Sequence, residues 1–237
     1  MFEKNITFSA HKNYIDLKQD YPKPIKLNIP EWFKKLNHSP DDHTVKGCIP
    51  FLETLTTGYL LSLPQDFILK YTHLSEIFFQ ASNIAPDINL NMFDTPDVHP
   101  TKQFVESPIQ KKNLNSSAHK ILNPWIIKTP PGYSCLFTAP LNNTDDRFTI
   151  ISGIVNTDTF DMQINFPFYV NGEKYPAQDT VLKKGTPYVQ IIPFKRDSWK
   201  MNIKTINSRK RYLSDASYFT KLIHRYKNSF WNKVRWK

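Results

Sequence analysis

Between residues 124 and 206 the apolar side chains fall in short β-type runs. PWIIKTP, YSCLFTAP, FTIISGIV, FDMQINFPFYV, TPYVQIIPF and SWKMNIKTI are rich in Ile, Val, Phe and Tyr, the residues that suit a pleated surface. Turn signals separate them at Pro130-Pro131-Gly132, Asn142-Asn143, Asn156–Asp158, Asn171-Gly172 and Lys184-Gly185. Short strands at this spacing predict a sandwich or barrel, not a parallel sheet with crossover helices.

The first 82 residues mix both periods. ITFSAH and KPIKLNI read as extended, and Pro30 opens a helical turn in PEWFKKL. Ile49, Phe51, Leu52 and Leu55 follow a helical repeat, with Gly58 placed as a left-handed cap. YLLSLP and DFILKYT, flanking Pro64, and then SEIFFQAS predict three strands. Over 83–118 the period is lost and four prolines intervene, which predicts a long irregular excursion that is functional or packs on a partner. Phe219, Leu222, Ile223, Tyr226, Phe230 and Val234 recur at spacings of three and four, with Ser214 as N-cap. They predict one basic amphipathic helix over 209–237 that lays its aromatic stripe on the body. The fold expected is one mainly β domain over 1–237, β-clip or jelly-roll-like, with short N-terminal helices and that C-terminal helix.

Composition narrows the function classes. At 40% hydrophobic and 14% aromatic residues the chain can bury a core. No apolar run approaches the ~18 residues that cross a bilayer, and no secretory pattern opens the sequence. Cys48 and Cys135 are too few for a disulfide framework, so they are expected as small buried thiols in a reducing compartment. Synthesis in the cytoplasm of a host cell follows as an expectation.

Charge is segregated. The net charge is +10; residues 200–237 hold 11 basic residues against Asp215, so the body before them is neutral. Such a tail suits an anionic partner or a solvated helix face. Arg209, Lys210, Arg211, Lys221, Arg225, Lys227, Lys233 and Arg235, interleaved with Trp231 and Trp236, are the candidate contact residues. Rings between cations serve single-strand nucleic-acid binders, and equally a helix docking on a neighbouring subunit.

Catalytic constellations are thin. None of the seven histidines forms a close metal-ligand pair; Asp41–His43 and His99 were the nearest to one. Cys135 alternates like a core residue, and the six glycines build no phosphate-cradling loop. No metal or cofactor is expected.

Two resemblances follow from quoted motifs. TPPGYSCLFTAP, SGIVNTDTFDMQINF and LKKGTPYVQIIPF are similar to successive motifs of the dUTPase and dCTP deaminase superfamily, over residues 129–196. That resemblance implies a β-clip fold and a pocket at Asn156, Asp158 and Lys184. It also implies a lost activity. The family's water-activating Asp is Asn156, whose amide takes no proton near neutral pH. Its phosphate-binding Arg-Ser-Gly is replaced by Pro140, Leu141 and Asn142, and no Gly-rich arm follows. From about Pro30 to the end, the order of motifs also resembles an uncharacterised family of phage and bacterial proteins. The expectation is a non-enzymatic phage-type structural or interaction protein that contacts other copies or a virion component. An enzyme or nucleotide binder at the 156–184 pocket, and nucleic-acid binding by the tail, stay as alternatives.

Overall fold

The computed structural model describes residues 4–15, 21–39, 41, 43–82, 98–142, 145–206, 208–209, 211–212 and 225–237. It is 31% strand and 19% helix, a mainly β protein with a few short helices. The strands are β1 Thr7–Ser9, β2 Lys23–Pro24, β3 Tyr59–Ser62, β4 Phe67–Tyr71 and β5 Phe78–Ala81 in the first part. There follow β6 Val98–His99, β7 Ala118–Ile121, β8 Ile126–Lys128, β9 Tyr133–Thr138 and β10 Phe148–Ile150. The last are β11 Gly153–Val155, β12 Phe166–Val170, β13 Gln178–Leu182 and β14 Pro187–Lys195. Among the described residues the helices are α1 Lys12–Ile15, α2 Glu31–Lys35, α3 Ile49–Thr54, α4 Pro108–Lys112 and α5 Arg225–Ser229, with further helical residues at 208–209 and 211–212.

These strands form a five-stranded sheet in the order β11-β9-β14-β3-β2, a four-stranded sheet β10-β12-β7-β6, a three-stranded sheet β13-β4-β5 and the pair β1-β8. Every pairing is antiparallel. The inward faces share one core that includes Leu69, Ile127, Phe137, Phe168, Leu182 and Ile191. β12 shows how alternation builds it: Phe166, Phe168 and Val170 are buried while Pro167 and Tyr169 between them are half-buried. β14 differs, with Tyr188–Ile191 buried without a break, as befits a strand with β9 on one side and β3 on the other.

Several predicted elements took another form. FTIISGIV is two strands in different sheets: Phe148–Ile150 pairs with β12, Ile151 still donates its N–H to Pro167 O of β12, and Gly153–Val155 then pairs with β9. KPIKLNI contributes only two strand residues before a 3-10 turn over Ile25–Asn28, where Ile25 N–H is taken by Gly58 O. Gly58 has a positive φ, but it turns the chain into β3 instead of capping α3, whose C-cap is Leu55. Within the 83–118 excursion, residues 98–118 hold β6, a 3-10 turn Thr101–Phe104 and α4; 83–97 lie outside the described residues. Cys135 is buried as expected, but Cys48 is exposed at the N-cap of α3.

The last two departures concern the C-terminal part. SWKMNIKTI forms no strand among the described residues, and its backbone is irregular and exposed throughout. Of the helix expected over 209–237, residues 208–209 and 211–212 and α5 are helical, 210 and 213–224 (with the expected N-cap Ser214) lie outside the described residues, and the chain is irregular from Trp231 on. Phe219, Leu222 and Ile223 lie outside the described residues, and Tyr226, Phe230 and Val234 are exposed instead of packed. The helix is closed by Phe230 and Trp231 donating N–H groups to Tyr226 O, which frees the following chain to reach the body by its indoles.

Candidate functional site

The turn after β11 carries Asn156, Thr157 and Asp158, and the ends of β9 and β14 meet it. Asn156 Oδ1 accepts from Ser134 Oγ at 2.8 Å. Thr157 is fully buried; its hydroxyl lies 2.7 Å from that of Thr129 and donates to Cys135 Sγ at 3.4 Å. Asp158 turns inward, its side chain only 6% exposed, and forms an ion pair with Arg196 just past β14. Arg196 Nη1 donates to Asp158 Oδ1 at 2.7 Å, to Tyr133 O at 2.9 Å and to Ser134 Oγ at 3.0 Å; its Nη2 meets Asp158 Oδ2. Gly132 N–H donates to Asp158 Oδ2 at 2.9 Å. The cluster fastens the ends of three strands, with the carboxylate as the knot.

The electrostatics follow from those bonds. The Arg196 guanidinium, helped by the Gly132 amide, holds the Asp158 carboxyl well below the usual carboxylate range, and Asp158 raises Arg196 in turn. A carboxylate so depressed is not a base for water near neutral pH. Burial pushes the Cys135 thiol up to about 11, which removes it as a nucleophile. The sign for stability is that of a depressed acid. The Asp158 contribution is complete above an ordinary carboxylate value of about 4 and is lost as pH falls below it towards the folded value. Melting temperature followed from pH 6 to pH 2 is therefore expected to fall more steeply for the natural chain than for Asp158→Asn.

Lys184 is not part of this cluster. It sits in the turn between β13 and β14, where its N–H donates to Asp66 Oδ1 at 2.7 Å beside the Lys183–Asp66 ion pair. The nine residues of β14 separate it from Arg196, roughly 30 Å at strand rise. The structure brings Asn156 and Asp158 together and leaves Lys184 at the opposite end of the sheet.

The tail residues divide as well. Trp231 Nε1 donates to Glu53 Oε1 at 2.7 Å, Trp236 stands edge-on to Tyr59 with centroids 5.9 Å apart, and Tyr59 OH donates to Lys237 O. Lys233 lies 5.8 Å over the Trp231 ring, and Lys227, Lys233 and Arg235 are exposed, as are Arg209 and Arg211. Lys210 and Lys221 lie outside the described residues, as does the side chain of Arg225. The indoles thus anchor the C-terminal residues to α3 and β3, and the cations between them face outward.

Residue classes alone did not reveal Arg196 or Gln190. Arg196 follows the strand in PFKRD with no local partner, and its meaning depends on Asp158, 38 positions away. Gln190 is fully buried in β14; its Nε2 donates to Thr54 O and Thr57 O, and its Oε1 accepts from Leu141 N–H. Beside that link a cavity of about 420 Å³ opens among Ile25, Trp32, Leu55, Leu60, Leu141 and Pro187. Trp32 Nε1 is buried with no hydrogen-bond partner among the described residues. Also among the described residues, no three His, Cys, Asp or Glu side chains come together as a metal site, and no helix is long and apolar enough to cross a membrane. His99 Nδ1 pairs with Gln103 Oε1.

Taken by fold and site, this is a mainly β protein whose turn polar residues bind one another. No family model matches the chain. No curated protein matches it. Among solved structures it is similar to the native EIAV dUTPase, at 14% identity over 65% of this chain and 87% of that one, with a TM-score of 0.33. A likeness of that size carries no part of the argument below.

Proposed function

We propose that the chain is a non-enzymatic, phage-type interaction protein, a β scaffold that acts through contacts with other protein copies or a virion component. The observation that carries this reading is the segment after β14. Trp199, Met201 and Ile203 are 90%, 83% and 84% exposed, and they alternate with Lys200, Asn202 and Lys204. Large apolar side chains in such a row, fully in water, are what a contact surface leaves uncovered before it is engaged. The pattern is that of a strand with one apolar face, yet it has no partner strand among the described residues.

The polar cluster supports the same reading from the other side. Asn156 is exposed and carries no ionisable oxygen, and the Asp158 carboxylate is nearly buried and engaged by Arg196 and Gly132, so no free carboxylate is presented there to a substrate. The phage-type setting rests on the motif resemblance alone. The test is amide hydrogen exchange over 198–206, followed with protein concentration and with each partner offered. Slowed exchange is expected when the segment is engaged; rates of a free peptide under every condition would remove the reading.

A further inference from the structure

We infer that residues 198–206 of one copy add as a strand to the open edge of β11 on a second copy, an inference that rests on the interaction reading above. Four observations converge on that edge. β11 pairs with β9 on one side only, and Gly153 and Ile154 are exposed, Ile154 by 65%. The edge strand β11, Gly153–Val155, has no charge and no proline, so of the devices that normally keep a sheet edge from pairing it keeps only its shortness. The segment 198–206 supplies what such an edge lacks: chain outside any helix or strand, with period-2 apolar residues and no backbone pairing among the described residues.

Charge and position fit as well. From Phe148 to Gly172 there is no lysine or arginine, while Asp161 is exposed beside Met162; the incoming segment has Lys200 and Lys204 and no acid. The segment leaves the body at Arg196, which is tied to Asp158 three residues past β11. Donor segment and acceptor edge therefore lie at one corner of the molecule. A two-fold axis at that corner places each segment along the other copy's edge, the reciprocal arrangement of an isologous dimer. Pairing with its own edge is out of reach in this register. Arg196 N–H is fixed to Gly132 O in line with β14, and a strand beyond β11 lies about 14 Å away, three strand spacings. The three residues to Trp199 extend at most about 11 Å.

The experiment is the mass of the purified full chain by sedimentation across the micromolar range, with two variants. One carries Trp199→Asp, Met201→Asp and Ile203→Asp; the other carries Ile154→Lys. All these positions are exposed, so both variants should keep the natural melting temperature and circular dichroism. The natural chain is expected to be dimeric and each variant monomeric. An equimolar mixture of the two variants should regain a dimer, because one intact segment then meets one intact edge. A natural chain that is monomeric throughout, or a dimer unchanged in both variants, overturns the inference. If the chain is monomeric and 198–206 is protected by a different protein, only the second-copy inference falls; if 198–206 is protected by nothing, the interaction reading falls with it.

Discussion

Replacing Gln190 with leucine is expected to remove roughly 4 kcal/mol of stability, since each buried polar group left unpaired costs about 1–3 kcal/mol. Gln190 has no exposed surface, and its amide joins three backbone groups from two separate segments: Thr54 O at 3.1 Å, Thr57 O at 2.8 Å and Leu141 N–H at 2.9 Å. Leucine fills nearly the same space, so packing is kept while all three bonds are lost. Gln190→Glu is expected to be worse, because it turns a carboxylate oxygen towards two carbonyls in a site closed to water. Urea unfolding of the three proteins checks the order Gln, Leu, Glu. A loss under 1 kcal/mol for leucine would mean that the 54–57 and 141 segments are held by something else. The same stretch, KKGTPYVQIIPF, is the one that resembles a nucleotide-hydrolase motif, and here its glutamine serves the frame of the protein.

The second large effect is at Gly58, where alanine is expected to cost about 3 kcal/mol, the left-handed backbone accounting for about 1–2 of it. Its φ is +83°, and a Cβ built there would stand 2.1 Å from Ile191 O, on the backbone of the central strand β14. Backbone in mid-sheet cannot yield as a flexible side chain can, so the remainder of the penalty is strain in β14. Gly132 is the internal control. It has nearly the same φ, +82°, but nothing within 4 Å of its missing Cβ. Asparagine tolerates left-handed backbone, so Gly132→Asn is expected to cost under about 1 kcal/mol while Gly58→Asn stays as damaging as alanine. Equal losses at the two sites would show that conformation, not contact with β14, sets the penalty.

The strands of the second half were legible because each is a short apolar run closed by proline, asparagine or glycine. Their division into sheets was not. Nothing local in FTIISGIV tells that Ile150 pairs with β12 and Gly153 with β9, since both halves share one composition. β13 was not legible because QDTVL is mostly polar, buries only Leu182 and pairs as an edge. At the candidate site, Asn156 and Asp158 were visible through the motif, and their partners were not. An ion pair such as Asp158–Arg196 is created by topology, which brings the end of β14 beside the turn after β11. In the tail the helical period ends where the indoles of Trp231 and Trp236 find Glu53 and Tyr59, long-range contacts that no local pattern announces. The most informative mismatch is SWKMNIKTI. Its pattern predicts a strand, Trp199 does not reach the open edge of its own β11, and the pairing with a second copy proposed above would satisfy the pattern.

The account stands or falls on whether that segment is engaged in solution. Amide hydrogen exchange of Trp199–Ile203, read by mass spectrometry on the full chain from dilute to concentrated solution, addresses it directly. The account predicts exchange that slows at least about tenfold as concentration rises, the signature of an opening equilibrium shifted by about 1.4 kcal/mol. Exchange at free-peptide rates at every concentration, and with every protein offered as partner, would contradict it.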